Sequence, residues 1–111
     1  MAFEVFKNDS GKFYFNLKAS NGQVILSSQG YASKANAMKG VQSVKNNSLT
    51  AEHFERKAAK DGSHFFVLKS TNGQVVGTSE MYKSAANMEK GIESVKKNAS
   101  ADAAVKDMTM D

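Results

Sequence analysis

Hydrophobic and polar residues alternate along Phe13-Tyr14-Phe15-Asn16-Leu17-Lys18, which places Phe13, Phe15 and Leu17 on one side of an extended chain and Tyr14, Asn16 and Lys18 on the other. That period of two predicts a strand with one face on a core. The run His64-Phe65-Phe66-Val67-Leu68 is apolar on both sides, as in a more completely covered part of a sheet. Each run leads to an Asn-Gly pair, Asn21-Gly22 or Asn72-Gly73, and then to Val24-Ile25-Leu26 or Val75-Val76. Asn-Gly suits the positive φ angles of a type I′ turn, so both stretches predict hairpins. Farther on the period lengthens. Ala37, Val41 and Val44, and then Met88, Ile92 and Val95, recur at helical spacing behind Ser33 and Ser84, whose hydroxyls can cap the orphan amides of a first turn.

These elements come in pairs because the chain is an internal repeat with a period of 51 residues. Gly11 to Ile25 aligns with Gly62 to Val76 without a gap, and the match continues through Ser28/Ser79, Tyr31/Tyr82, Ser33/Ser84, Lys39-Gly40/Lys90-Gly91 and Ser43-Val44-Lys45/Ser94-Val95-Lys96. The same spacing brings Phe3, Phe54 and Val105 into register, each opening a short stretch that predicts a strand: Phe3 to Lys7, Phe54 to Ala58 and Val105 to Thr109. Each copy is too small to bury its own apolar face, so the copies must pack on each other. The expectation is an α+β fold: β-β-β-α twice, an antiparallel sheet with two helices on one face. It forms a single domain over residues 1–111, with repeat 1 at about 1–50, repeat 2 at about 52–101 and a C-terminal strand or tail at 102–111. Such a chain is a monomer with an internal pseudo-dimer. Gly40 and Gly91 interrupt both helices at equivalent positions, at a cost on the order of 1 kcal/mol each, which predicts that no side chain fits where the helix crosses the sheet or its partner helix.

The pattern Gly-x-x-Tyr/Phe-Phe-x-Leu-Lys-x-x-Asn-Gly-x-x-Ile/Val, then Ser-x-x-Tyr-x-Ser, then Lys-Gly-Ile/Val-x-Ser-Val-Lys resembles the YegP-like family of small bacterial proteins of uncharacterised function. It covers nearly the whole chain and occurs in both repeats. The resemblance implies a β(3)-α-β unit in tandem and one continuous sheet with the last strands exchanged between units; the stretch from Phe54 to Ala58 would close the first unit and open the second. It implies no catalytic residues. The second copy departs from the pattern at His64, where the first has Phe13, and at Gly77, where the first has Leu26, so looser packing is expected there.

Composition narrows the chemistry. The 111 residues include no cysteine, which removes disulfides and thiolate ligands and predicts a reducing, cytoplasmic home. No apolar run approaches the roughly 20 residues that span a membrane. The formal charge is +4 and rests almost wholly on lysine, with Arg56 the single arginine, a balance that suits a solvated surface more than a nucleic-acid reader. His53 and His64 lie eleven apart on linker and strand, too isolated for a metal site; His53 is expected in an exposed linker and His64 half-buried. Ser27, Ser28, Ser79 and Ser84 lack a nucleophile-elbow context, and Glu80, Glu89 and Glu93 align with Gln29, Met38 and Gln42 in the other repeat. No catalytic residue, metal site or cofactor is therefore expected.

One surface is a candidate for binding. Lys12, Tyr14 and Lys18 in the first copy, and Phe65 and Lys69 in the second, interleave bases and aromatics on strands, the materials of single-stranded nucleic-acid platforms. Core and cross-strand packing explains the same residues, and the order of elements is not that of an RNA-recognition domain. The reading of the sequence is a cytoplasmic, non-enzymatic binding module whose partner is a protein or a second copy of itself, reached by strand addition at a sheet edge. The alternative is single-stranded nucleic acid held on the lysine and aromatic face.

Overall fold

The structure is a computed structural model that describes residues 3–100 and 103–109. The strands are β1 (Phe3–Lys7), β2 (Phe13–Lys18), β3 (Val24–Ser27), β4 (Phe54–Ala58), β5 (His64–Lys69), β6 (Val75–Thr78) and β7 (Val105–Asp107), and the helices are α1 (Lys34–Asn47) and α2 (Ala85–Asn98). A 3-10 turn over Ala51–His53 leads into β4. All seven strands form one sheet in the order β4-β5-β6-β3-β2-β1-β7. Each repeat is an antiparallel meander, and the two meanders join where Ser27 of β3 faces its own counterpart, Thr78 of β6. That pairing lies on the pseudo-twofold axis. Both helices touch strands of both repeats, so one core serves the whole chain. The α+β architecture expected from the sequence is the one observed.

Period two decides which side chains enter that core. Phe3 and Val5, Phe15 and Leu17, and Phe66 and Leu68 are fully buried against the helices, through Ala37, Val41 and Val44 of α1 and Met88, Ile92 and Val95 of α2. Burial of each large apolar side chain contributes roughly 1.5–3 kcal/mol. The helices begin where the serines predict: the Ser33 hydroxyl accepts from the Asn36 N–H and the Ser84 hydroxyl from the Asn87 N–H, both at 3.1 Å.

The hairpins are present, but their turns are not type I′. Among the described residues positive φ occurs at glycine alone, at Gly11, Gly22, Gly62 and Gly73, with angles of 84–89°. In the β2–β3 turn Gly22 N–H donates to the Ala19 carbonyl and Ala19 N–H to the Gln23 carbonyl, both at 2.9 Å, a turn closed by one left-handed glycine. Asn21 stays at negative φ, and its Oδ1 accepts the Gln23 N–H at 3.0 Å. Asn72 and Gly73 repeat this arrangement, with Asn72 accepting from Gln74. Gly11 and Gly62 build the same turn between β1 and β2 and between β4 and β5. A register shift follows each Asn-Gly turn: Lys18 faces Val24 while Leu17 faces Leu26, and Lys69 faces Val75 while Leu68 faces Gly77. Ile25 and Val76 are the extra residues of these bulges, which is how Ile25 and Leu26, adjacent in sequence, both enter the core.

Gly40 and Gly91 leave no room for a side chain, as expected where each helix crosses the sheet: a Cβ at Gly40 would lie 2.6 Å from the Tyr31 hydroxyl and 2.8 Å from Phe15 Cε2, and Gly91 meets Tyr82 more closely still. Tyr31 stacks on Phe15 at 6.3 Å and Tyr82 on Phe66 at 6.4 Å, with Phe3 and Phe54 edge-on beyond. Gly77, by contrast, is not the loose spot expected. A Cβ at Gly77 would fall 2.6 Å from Leu26 Cδ2, so the first repeat's leucine fills the space of the second repeat's missing side chain. Two leucines related by the axis would compete for one volume.

Candidate functional site

The helices cover one face of the sheet. The other carries Glu4, Phe6, Tyr14, Asn16 and Lys18 from repeat 1 and Glu55, Lys57, Phe65, Val67 and Lys69 from repeat 2, as the alternation along β1, β2, β4 and β5 requires. Tyr14 and Phe65 thus face away from the helices. Tyr14 stacks on Phe6 with 5.7 Å between ring centroids, and its hydroxyl accepts from Asn8 Nδ2 at 3.3 Å. Lys18 pairs with Glu4 at 3.0 Å, and Lys69 and Lys57 both pair with Glu55, whose carboxyl the Lys69 hydrogen bond holds below its ordinary range. Lys12 sits in the β1–β2 turn, where its backbone N–H donates to Asn8 Oδ1 at 2.9 Å. The five candidates do not converge. β2 and β5 are separated by β3 and β6, roughly 14 Å by strand spacing, and two of the three lysines are matched by glutamates.

The residues weighed for chemistry hold the structure together. Ser28 and Ser79 hydroxyls each accept a β-strand N–H, from Phe15 and Phe66 at 2.9 Å, and donate to the next carbonyl at 2.8 Å. His64 is half-buried beside Tyr82, as expected. His53 is not in an exposed linker: it lies half-buried in the 3-10 turn, with Nδ1 buried and without a hydrogen-bond partner. Among the described residues no three His, Cys, Asp or Glu gather as ligands. An open groove of about 480 Å³ lies at the seam of the repeats, between Gln23–Ile25 and Glu80–Tyr82. Burial, with the charge of Glu80 second, raises the Tyr82 hydroxyl above its ordinary pKa.

The two ends of the sheet differ. β7 lies parallel on β1, with Val105 facing Phe3, Lys106 facing Glu4 and Asp107 facing Val5. Phe3 N–H donates to the Ala104 carbonyl at 2.9 Å, and Met108 N–H donates to the Val5 carbonyl at 2.8 Å. The strand that follows α2 thus completes the edge of repeat 1, while the strand that follows α1, β4, opens repeat 2. β7 is shorter than the predicted stretch to Thr109, because Asp107 Oδ1 turns back to accept the Thr109 N–H at 2.9 Å. At the other end β4 has no outer neighbour among the described residues. Its register on β5 copies that of β1 on β2, so the backbone groups of Phe54, Arg56 and Ala58 point outward as those of Phe3 and Val5 do. Arg56 Nε and Nη2 donate to Glu89 of α2, a pair exposed at this edge that holds the Glu89 carboxyl below its ordinary range.

The open edge is the feature that the sequence reading left unplaced. Its signal was present: Arg56 stands where repeat 1 has Val5, and Glu89 where repeat 1 has Met38. Two apolar positions that become an ion pair in the second copy mark a place where the repeats meet different surroundings.

Comparison with known proteins places these features in a family. The family model described as a domain of unknown function, DUF1508, matches residues 8–55 and 59–107, two segments whose starts are 51 residues apart. Each segment runs into the strand that follows its helix, so β4 and β7 hold equivalent places in the unit. A UPF0339 protein from the 5′ region of the ptx operon of Stutzerimonas stutzeri is 50% identical over 97 residues, 87% of each chain. The UPF0339 protein YegP of Escherichia coli K12 is 46% identical over 107 residues, 96% of each chain. The solution NMR structure of YegP from Escherichia coli superposes with a TM-score of 0.92 at 45% identity, covering 100% of this chain and 97% of that one. That of a UPF0339 protein from Shewanella oneidensis gives 0.91 at 41% identity, covering 97% and 91%.

Proposed function

The chain belongs to the DUF1508 family, and from that premise we propose that it is a cytoplasmic, non-enzymatic binding module that takes a protein partner by strand addition at β4. One observation supports this above the others: β4 presents outward backbone donors and acceptors at Phe54, Arg56 and Ala58, while the equivalent groups of β1 are already used by β7. Backbone pairing supplies affinity in such an interface, and alternate side chains supply choice of partner. The absence of cysteine supports the reducing compartment. Among the described residues no helix is long and apolar enough to cross a membrane.

The test is an edge block that spares the fold. Ala58→Pro removes an outward N–H at an exposed edge position without touching the β4–β5 ladder. A photo-crosslinker at Lys57 should trap the same partners on the unmodified edge that Ala58→Pro loses. An identical set of trapped proteins with and without the block would end the edge reading.

A second reading has an observation of its own. Tyr14, Phe6 and Phe65 lie on the uncovered face, where bases could stack. It requires amide shifts at Lys12–Lys18 and Ser63–Lys69 on titration with a single-stranded oligonucleotide, weakening between about 50 and 200 mM salt and on Lys18→Glu or Lys69→Glu. The ion pairs of Lys18 and Lys69 with Glu4 and Glu55 favour the protein partner.

A further inference from the structure

β1 shows what a paired edge uses, and β4, which none of the described strands covers, shares part of it. On β1 the incoming strand is held by the Phe3 N–H and Val5 carbonyl, by Lys45 and by Lys34. Lys45 Nζ lies 5.8 Å from the centre of the Phe3 ring and donates to the Ala103 carbonyl at 3.0 Å; Lys34 Nζ meets the Asp107 carboxylate at 2.8 Å. The counterpart of Lys45 in repeat 2 is Lys96, 6.0 Å from the centre of the Phe54 ring, at the same place relative to the open edge, and paired at 3.3 Å with the exposed Glu93. The counterpart of Lys34 is Ala85, so the helix contributes no cation, but the counterpart of Val5 is Arg56. Repeat 2 thus carries a cation on the edge strand itself, paired with Glu89, where repeat 1 carries one at the helix start. Nε and Nη2 of Arg56 face Glu89, which leaves Nη1 for a second carboxylate.

We propose that β4 is a second seat for a parallel strand, and that its occupant is an extended segment of another protein with an apolar, a basic and an acidic residue in succession. This rests on the strand-addition reading above and gives it an orientation, a register and a sequence preference. In the register of β7 the apolar residue faces Phe54, the base faces Glu55 as Lys106 faces Glu4, and the acid faces Arg56. Two small residues before them, as at Ala103 and Ala104, bring a carbonyl to Lys96. Val105-Lys106-Asp107 has this pattern, yet β7 of a second copy is the wrong occupant. Leaving β1 would bare Phe3 and Val5, both fully buried, for no gain in paired strands.

The experiment uses the isotope-labelled full chain and a synthetic peptide with the sequence of residues 103–109. The tethered β7 outcompetes the free peptide on β1 through its effective concentration, so the peptide reports on β4. Saturable amide shifts at Phe54–Ala58 and Lys96 are expected, with binding weakened about two- to fivefold when the peptide carries D107K. Because Arg56→Glu places a carboxylate beside Glu89, Lys96→Met provides a second variant and should also weaken the parent peptide. Preference of the Arg56→Glu chain for the D107K peptide would confirm the charge register. Equal binding of both peptides to the unmodified chain would overturn this proposal and leave general strand addition standing. Shifts confined to β1 and β7, or a β4 silent to both peptides, would overturn it and leave general strand addition to the Ala58→Pro test.

Discussion

The contact between Leu26 and Gly77 across the pseudo-twofold axis gives the sharpest test of how two similar repeats share one core. Leu26 is fully buried, and a Cβ at Gly77 would come within 2.6 Å of its Cδ2 and 2.7 Å of its Cγ. Leu26→Gly should cost the about 2–5 kcal/mol of a leucine-sized cavity plus about 0.5–1 kcal/mol for a strand glycine. Gly77→Leu should cost about 1–3 kcal/mol or more, because the buried Leu26 has nowhere to go. If the sites were independent, the double variant would lose roughly 4–9 kcal/mol, enough to unfold many domains of this size. The structure predicts otherwise. Exchanging the two residues reflects the same large-small pair through the axis, returns the cavity volume and moves the glycine from one strand to its equivalent. The double variant should therefore lose less than about 2 kcal/mol and be more stable than either single variant. Urea denaturation followed by circular dichroism measures this from the midpoint, provided the slope is unchanged. A double variant whose loss equals the sum of the singles, within about 0.5 kcal/mol, would refute the account of Gly77 as the space for Leu26.

Gly40→Ala and Gly91→Ala should destabilise by about 1–3 kcal/mol in the same assay despite a helix-propensity gain of about 1 kcal/mol, because the added methyl meets Tyr31 or Tyr82; Tyr31→Leu should recover much of the loss at Gly40. The Lys34 hydrogen bond, with lesser bonds from Thr109, lowers Asp107 from 3.8 to about 2, so the docking of β7 that this carboxylate supports is complete above about pH 4 and lost as the pH falls through about 2. A carboxyl-carbon titration by NMR should show that midpoint, and Lys34→Ala should raise it. Ser84→Ala should cost about 1 kcal/mol by removing the acceptor for the Asn87 N–H, and an unchanged midpoint in urea would count against the cap.

Periodicity made the fold legible. Phe13, Phe15 and Leu17, the Asn-Gly hairpins and the helix stripes behind Ser33 and Ser84 each depend on neighbours within one turn or one strand; strands, hairpins and helices formed as expected, and only the type of the Asn-Gly turns differs. What was not legible depends on contacts between the copies. Gly77 looked like a defect because the residue that fills its space, Leu26, lies 51 positions earlier and on the far side of the axis. The bulges at Ile25 and Val76 were not legible because Val24-Ile25-Leu26 and Val75-Val76 are apolar throughout, so a break in the alternation leaves no mark in the sequence. Tyr14, Lys18, Phe65 and Lys69 share the face opposite the helices, as a period of two requires, but the sequence could not show that Glu4 and Glu55 pair with Lys18 and Lys69 from neighbouring strands.

The described residues run β-β-β-α, β-β-β-α, β, one strand more than the repeat symmetry can use. Two equivalent edges, β1 and β4, face outward from the pseudo-dimer, and the single spare strand can cover one of them. The repeats must therefore diverge at the edges even while they stay alike in the turns and caps. The divergence follows what each edge meets: Val5 and Met38 where β7 closes the sheet, Arg56 and Glu89 where none of the described strands does. An exposed apolar edge would recruit other chains without discrimination, and a charged pair is a standard protection against that. On the strand-addition reading Arg56 and Glu89 have two compatible tasks. They keep β4 from pairing with any strand that passes, and by spending two of the guanidinium nitrogens on Glu89 they leave one for a strand that brings an acid to the right position. On that reading selectivity at this edge comes from the same residues that guard it against unspecific pairing.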